Sequence, residues 1–408
     1  MKAMNTCKSS HGSSRLPAGI RVLGFVSMLM DMSSELMLSL LPVFMTTLLG
    51  AGMIGVGLVE GAAEATASIM KLFSGIWSDR FRRRKPLALI GYGLSALAKP
   101  LFPLAASMDT IFLARFADRV GKGLRGAPRD ALIAELAPAE MQGAAYGFRQ
   151  ALDSAGAFVG PLLAVLLMLL FSGDLRRVLW VGTIPALLCV LLLAAGLREP
   201  APHHGTRLAE SRRSLTSGIG GMTLPFWLVV LTGAAFTMAR FSDAFLLLKA
   251  LAVGMPAVYV PLVMVVMNLV YSGVSYPAGI MSDRYGAYRQ LAAGIALLVV
   301  ANLLLSAARG TPEVMAGVVL WGAHLGFTQG VLSKLVAASA PAGSLATGFG
   351  LFNLLTGVAA LLSSLLAGLL WQLLGPAWAF RSGALFALLA AGGLAVSWRV
   401  LARRAAEG

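Results

Sequence analysis

Long apolar stretches alternate with short polar breaks along almost the whole chain. A membrane-spanning helix needs about 20 apolar residues. Windows of that width place apolar stretches at 20–49, 52–78, 86–107, 109–136, 142–171 and 177–198, and again at 224–249, 255–281, 289–308, 312–338, 345–371 and 377–401. About twelve spanning helices are therefore predicted. The short alternating segments of a membrane barrel are not seen in this pattern, so the expected fold is all-α. The polar breaks divide it into an N-terminal tail over 1–19, a six-helix bundle over 20–198, a linker over 199–222, a second six-helix bundle over 223–402 and a tail over 403–408.

Composition sharpens this picture. Of 408 residues, 58% are hydrophobic and 12% charged, against about half and a quarter in ordinary globular proteins. An ordinary soluble enzyme, a disordered chain and a nucleic-acid-binding domain are excluded. The formal charge of +15 then reflects topology, because basic residues collect on the cytoplasmic side. Alternate loops put Arg80, Arg82, Arg83, Arg84 and Lys85, the linker residues Arg207, Arg212 and Arg213, and Arg403 and Arg404 on one side. The other side holds chiefly Arg176, Arg177, Arg309 and Arg381. Both termini are expected to face the cytoplasm of a bacterial inner membrane. Met1 to Arg21 lead into an apolar run that contains Asp31 and Glu35 and lacks a small-residue cleavage site, so it is not read as a removable signal. Cys7 and Cys189 provide no disulfide framework. His203 and His204 in the linker lack acidic or thiol partners at ligand spacing, so no metal or other cofactor is expected.

The two halves repeat each other. Gly75-Ile76-Trp77-Ser78-Asp79-Arg80 returns 204 positions later as Gly279-Ile280-Met281-Ser282-Asp283-Arg284. Leu132 to Pro138 matches Leu335 to Pro341 at a shift of 203, and Gly147 and Gln150 fall on Gly350 and Asn353. A six-helix unit repeated in one orientation about an axis along the membrane normal is an architecture of alternating-access carriers.

The Gly75-x-x-x-Asp79-Arg80 segment between the second and third spans resembles the signature of the major facilitator superfamily. Asp118 to Arg125, followed by Pro128-Arg129-Asp130-Ala131, is similar to a prokaryotic branch of it. The resemblance implies a gating latch in which Asp79, with Gly75 and Arg80, meets a helix N-terminus of the other half. Gly279, Asp283 and Arg284 would form a second copy. Arg82 stands where Gly is usual; Gly286 is kept in the second copy, but Ala287 and Tyr288 replace bases, so the second latch is expected to be weaker. Gly147, Gly156, Gly160 and Pro161 resemble the antiporter signature of the fifth helix, with Ala164 departing from its last Gly. The small residues permit close helix approach, and Pro161 leaves a carbonyl without its usual donor. Arg119-x-x-Lys122-Gly123 is similar to the R-x-x-Q-G signature of proton-coupled members, with Lys122 replacing Gln.

Charges in the apolar spans carry the functional expectation. Counting from Asp109 puts Arg119 roughly 15 Å deep, where charge costs at least about 2.5 kcal/mol and must find a cavity or a partner. Asp31 and Glu35 on the first helix, and Glu60 and Glu64 on the second, each share a helix face; Lys71 follows Glu64 along its face. Carboxylates so placed compete to hold a proton, and a proton that weakens a bond to Arg119 would bias the carrier between its two openings. The other reading is that these groups, with Lys99, Arg149 and Asp153, are satisfied ion pairs binding the first half together. The second half offers Arg240, Asp243 and Lys249, and His324 as relay, substrate contact or packing residue. Lys122, Asn268, Gln329, Lys334 and Asn353, with Tyr271, are candidate substrate contacts; Phe241, Phe245, Trp321 and Phe327 would suit an amphipathic solute or lipid.

No phosphate-binding G-x-x-x-x-G-K-[ST] loop occurs, so the energy source is a gradient and not nucleotide hydrolysis, and no enzyme is expected. The leading expectation is a monomeric, proton-coupled exporter of a small organic solute, contacting membrane lipids and no nucleic acid. Proton-linked uptake of an organic anion, using Arg119, Lys122, Arg125 and Lys334, is the alternative within transport. A non-transporting membrane sensor of the same fold is the alternative outside it.

Overall fold

The computed structural model describes residues 16–81, 84–138, 141–197, 222–340 and 345–407. Among them the chain is helical throughout. The first half comprises α1 (Ala18–Thr47), α2 (Met53–Phe81), α3 (Arg84–Leu104, interrupted at Lys99-Pro100), α4 (Met108–Leu136), α5 (Gln142–Leu170) and α6 (Leu175–Gly196). The second comprises α7 (Leu224–Ala252), α8 (Leu262–Tyr285), α9 (Ala287–Ala307), α10 (Thr311–Ser339), α11 (Leu345–Leu374) and α12 (Pro376–Glu407). The expected linker, with His203 and His204, lies outside the described residues apart from Met222.

Eleven of these helices are long and apolar enough to cross a membrane. α4 is the twelfth: it has the length, but Arg115, Asp118, Arg119, Lys122, Arg125, Arg129 and Asp130 crowd it. It survives in an apolar bundle because α2 and α3 enclose it. The approach is close at Gly121, where an added Cβ would sit 2.6 Å from the Gly91 carbonyl and 2.5 Å from Ser95 Oγ. Packing this tight requires glycine.

The repeat is visible in which helices touch. α1 packs on α5 and α6, as α7 packs on α11 and α12; α3 and α2 pack on α4, as α9 and α8 pack on α10. Between halves, α2 meets α11 and α5 meets α8, the same pairing with the halves exchanged. The face with the α1–α2, α7–α8 and other odd-to-even turns is the short-loop face; the start of α1 and the end of α12 lie on the opposite, terminal face. Gly286, at φ 89°, joins α8 directly to α9.

α7 departs from the continuous span expected over 224–249. It breaks at Arg240–Asp243 and restarts at Ala244. The freed backbone groups find side chains: Ser363 Oγ donates to the Met238 carbonyl (3.0 Å), Ser242 N donates to Ser364 Oγ (3.3 Å) and Ala244 N donates to Ser242 Oγ (3.3 Å). Broken helices persist at membrane depth only where protein groups supply such partners.

Candidate functional site

α2 and α4 run parallel, and their charges meet in register. Glu60 pairs with Arg115, and Glu64 with Arg119 one turn on. Arg115 Nε donates to Glu60 Oε1 at 3.1 Å and its Nη2 donates to Oε2, a bidentate grip. Arg119 Nη1 lies 3.5 Å from Glu64 Oε1. Behind them Lys99 of α3 sits 3.2 Å from Asp118 Oδ1 and donates to Ser34 Oγ of α1 at 2.9 Å. Glu60, Lys99, Arg115, Asp118 and Arg119 are all buried, so their mutual pairing is what makes their presence tolerable.

α1 runs antiparallel to α4 and contributes a second set. Arg129 Nη1 donates to Ser27 Oγ at 2.8 Å. Arg125 approaches Asp31 at 3.9 Å, donates to Ser95 Oγ at 2.7 Å and lies 4.9 Å from the Tyr92 ring centre. Arg149 and Asp153 of α5 pair at 3.0 Å, with Arg129 3.9 Å from the same carboxylate. Arg119 thus takes Glu64, with Asp118 Oδ2 4.0 Å from its Nε, and neither Asp31 nor Glu35, because Asp31 and Ser27 of α1 meet Arg125 and Arg129. Glu35 and Lys122 are partly exposed. Neither has a hydrogen bond, or an opposite charge within 4.0 Å, among the described residues.

On α5, Gly156 and Gly160 lie against α1: an added Cβ would be 2.5 Å from the Met28 carbonyl and 2.6 Å from the Met32 carbonyl, respectively. Gly147 faces open space. Pro161, having no N–H, strands the carbonyl of Ala157; Asn268 Nδ2 of α8 donates to it at 2.9 Å across the two halves. Pro128 of α4 likewise strands the Leu124 carbonyl, which accepts from Ser74 Oγ of α2 at 2.8 Å. Beside the Ala157–Asn268 bond a polar recess opens between the halves, lined by Asp31, Gln150, Asp153 and Ser154 from one and Tyr271 and Ser272 from the other. Tyr271 donates to Gln329 Oε1 at 2.8 Å.

The second half is sparser. Trp321 Nε1 donates to Asp243 Oδ1 at 3.0 Å, next to Arg240 in the α7 break. His324 is fully buried, edge-on to Trp321 (5.5 Å) and Phe236 (5.9 Å), and neither ring nitrogen has a hydrogen-bond partner among the described residues. Lys249 donates to the Ala308 carbonyl at 2.9 Å, closing the end of α9. Phe241, Phe245 and Trp321 are core residues. Asn353 is partly exposed and Lys334 exposed. Of the latch residues, the side chains of Asp79, Arg80 and Asp283 and the surroundings of Gly75 lie outside the described set. Gly279 and Arg284 are exposed, with the Arg284 guanidinium 5.4 Å from the Tyr285 ring centre.

Arg115 is the residue that sequence reasoning passed over. The available signal was its place one turn before Arg119, matching the one-turn spacing of Glu60 and Glu64. Ser242 lies 3.5 Å from Glu60 Oε2, a contact between halves that no motif signals.

Comparison with known proteins agrees with this architecture. The profile of the Major Facilitator Superfamily matches residues 23–270 and 244–408. An uncharacterized MFS-type transporter of Methanocaldococcus jannaschii is 30% identical over 393 residues, covering 94% of this chain and 96% of its own. The multidrug resistance protein MdtH of Yersinia enterocolitica is 28% identical over 188 residues, 45% of each chain. Among solved structures, the nucleoside transporter NupG (D323A mutant) superimposes with a TM-score of 0.76 at 15% identity, over 93% of this chain and 99% of its own. An inward-facing bacterial homologue of the human lysosomal transporter Spinster superimposes at 0.73 and 17% identity, over 95% and 98%.

Proposed function

The chain belongs to the major facilitator superfamily, and from that premise we propose that it exchanges protons for a small organic solute, exporting the solute across a bacterial inner membrane by alternating access. The terminal face, which collects the basic loops, is then cytoplasmic. The observation that carries the exchange is Glu35. Carboxylates around it are held by cations, Asp31 by Arg125, Glu60 by Arg115 and Glu64 by Arg119, whereas Glu35 is partly exposed and unpaired among the described residues. A carboxylate without a cation at membrane depth is the group that gains most from a proton.

The cycle follows from that chemistry. With the cavity open to the acidic exterior, Glu35 takes a proton. Its lost charge rebalances the field on Arg119 and Glu64 and favours the inward-open form. There the proton leaves and solute takes its place. A difference of one pKa unit between the two forms is about 1.4 kcal/mol of coupling, enough to link the two movements. The multidrug role of MdtH supports export. The unpaired Lys122 supports the second reading, uptake of an organic anion with protons.

The test is a solute screen in proteoliposomes under an imposed pH gradient, comparing the parent with Glu35→Gln and Arg119→Ala. Both variants are expected to stay folded, Arg119→Ala with lower stability because it leaves Glu64 without its cation, yet to lose gradient-driven flux. Unaltered pH-dependent turnover in both removes these residues from coupling, and protons entering with the solute through the same face replace exchange by cotransport.

A further inference from the structure

The ladder of contacts between α1 and α4 has a rung that does not close. Arg129 reaches Ser27, and Arg125 reaches Asp31: four residues back on α4 bring four residues forward on α1. Carried one turn further, the same antiparallel register sets Glu35 opposite Gly121 and Lys122. The rungs beside this position are closed, Asp31 by Arg125 and, on the other flank of α4, Glu64 by Arg119. Ser34, next to Glu35, is taken by Lys99. Glu35 and Lys122 remain apart, both partly exposed, in electrostatic reach of each other but not in contact.

Their surroundings do not complete either one. Arg119 on α4, Asp31 on α1 and Asp243 on α7 also act on Glu35, and Arg119, Glu64 and Asp31 act on Lys122. On the α5 side Glu35 meets Gly160, whose missing side chain brings no donor: a Cβ there would lie 3.1 Å from that of Glu35. Arg119 and Glu64 are committed to each other. What is left is one acceptor and one donor of opposite charge, each partly exposed, that the register of α1 and α4 sets opposite each other.

We propose that Glu35 and Lys122 are the two jaws of the substrate site and that the transported solute is a zwitterion, its cationic group on Glu35 and its anionic group on Lys122. Such a solute satisfies both jaws and adds no net charge to the membrane interior. A solute with one charge leaves the opposite jaw unpaired and carries its own charge into a low-dielectric site, which is the expensive case. The inference rests on the exchange reading in one respect: a proton arriving on Glu35 removes the partner of the solute's cationic group and releases it.

The experiment uses full-length purified protein and a panel of free amino acids with aliphatic and aromatic side chains, each beside its methyl ester, a cation, and its N-acetyl derivative, an anion. Thermal unfolding in detergent reads binding; a pH-sensitive dye in proteoliposomes reads proton movement. At least one zwitterion is expected to bind about tenfold or more tightly than both of its singly charged relatives. Lys122→Gln is expected to narrow the gap to the ester, and Glu35→Gln the gap to the N-acetyl derivative. Either variant removes a charge that has no partner, so both are expected to fold; should one fail, the parent's ratios decide alone. The inference is overturned if no zwitterion stabilises the protein at millimolar concentration, if a singly charged relative binds as well, or if the variants fold and leave the ratios unchanged. The two readings fail separately. A zwitterion that binds and crosses without moving protons ends the exchange and keeps the jaws; proton movement driven by singly charged solutes ends the jaws and keeps the exchange.

Discussion

At Glu60 one carboxylate is held from both halves of the protein. Arg115 grips it from α4 through two hydrogen bonds, and Ser242 reaches it from the break in α7. Both members of the ion pair are buried, so removing either strands the other's charge. Arg115→Leu is expected to destabilise by about 3–5 kcal/mol, whereas Glu60→Leu with Arg115→Leu, which buries no charge, is expected to recover most of that loss. Denaturant unfolding of the two single variants and the double variant in detergent checks this, and additive losses would falsify the pairing. Helical spacing in the sequence was enough to show Glu60 and Glu64 on one face and to put Arg119 at membrane depth. It could not say which carboxylate Arg119 would take, because that depends on the register between helices far apart in the chain. The same reason hid Arg115: no motif contains it, and its importance appears only when α2 lies parallel beside α4.

The fifth helix concentrates the element-scale argument. Its glycines are not equivalent, although a sequence pattern counts them alike. Gly160 lies against the α1 backbone, where an added Cβ would come within 2.6 Å of the Met32 carbonyl, while Gly147 meets nothing within 4 Å. Backbone cannot step aside as a flexible side chain can, so Gly160→Ala is expected to separate α1 from α5 and lower the unfolding temperature, and Gly147→Ala to leave it within about 0.5 kcal/mol of the parent. Equal effects of the two would contradict the packing. Pro161 adds a second dependence. Its missing N–H leaves the Ala157 carbonyl to Asn268, so Pro161→Ala, which restores the intrahelical donor, is expected to shrink the effect of Asn268→Ala, with a coupling of about 1 kcal/mol in a double-mutant cycle. That the proline frees a carbonyl is readable in the sequence; that the donor comes from α8 is not. The break in α7 was equally illegible, since the apolar pattern runs on through 224–249 and the serines that stabilise the break sit on α11.

For the whole molecule, the position of the contacts between halves defines its state. Ile54 N donates to Gln372 Oε1 at 3.2 Å near the short-loop face. Deeper in, a Cβ on Gly61 would lie 2.9 Å from Leu361, and one on Gly357 2.9 Å from Ser68. Nearer the terminal face, Lys71, Phe73 and Trp77 of α2 and Tyr276, Ile280 and Met281 of α8 are exposed. The halves therefore grip each other from the short-loop face to about mid-helix. A carrier that alternates has to release this grip once per cycle, because a cavity open to the short-loop face cannot coexist with α2 seated on α11. A tether there becomes a test of alternation itself. In a chain lacking Cys7 and Cys189, Gly52→Cys with Gln372→Cys puts two thiols at this contact, which the tip of the Gln372 side chain now spans, for bridging by a short, reducible bifunctional thiol reagent. The bridge is expected to form readily without solute, to abolish exchange across proteoliposomes, and to permit it again after reduction, while solute binding from the terminal face persists in the tethered form. Transport that continues at the parent's rate with the cross-link intact would mean that this contact is not a gate, and that the halves move about some other seam.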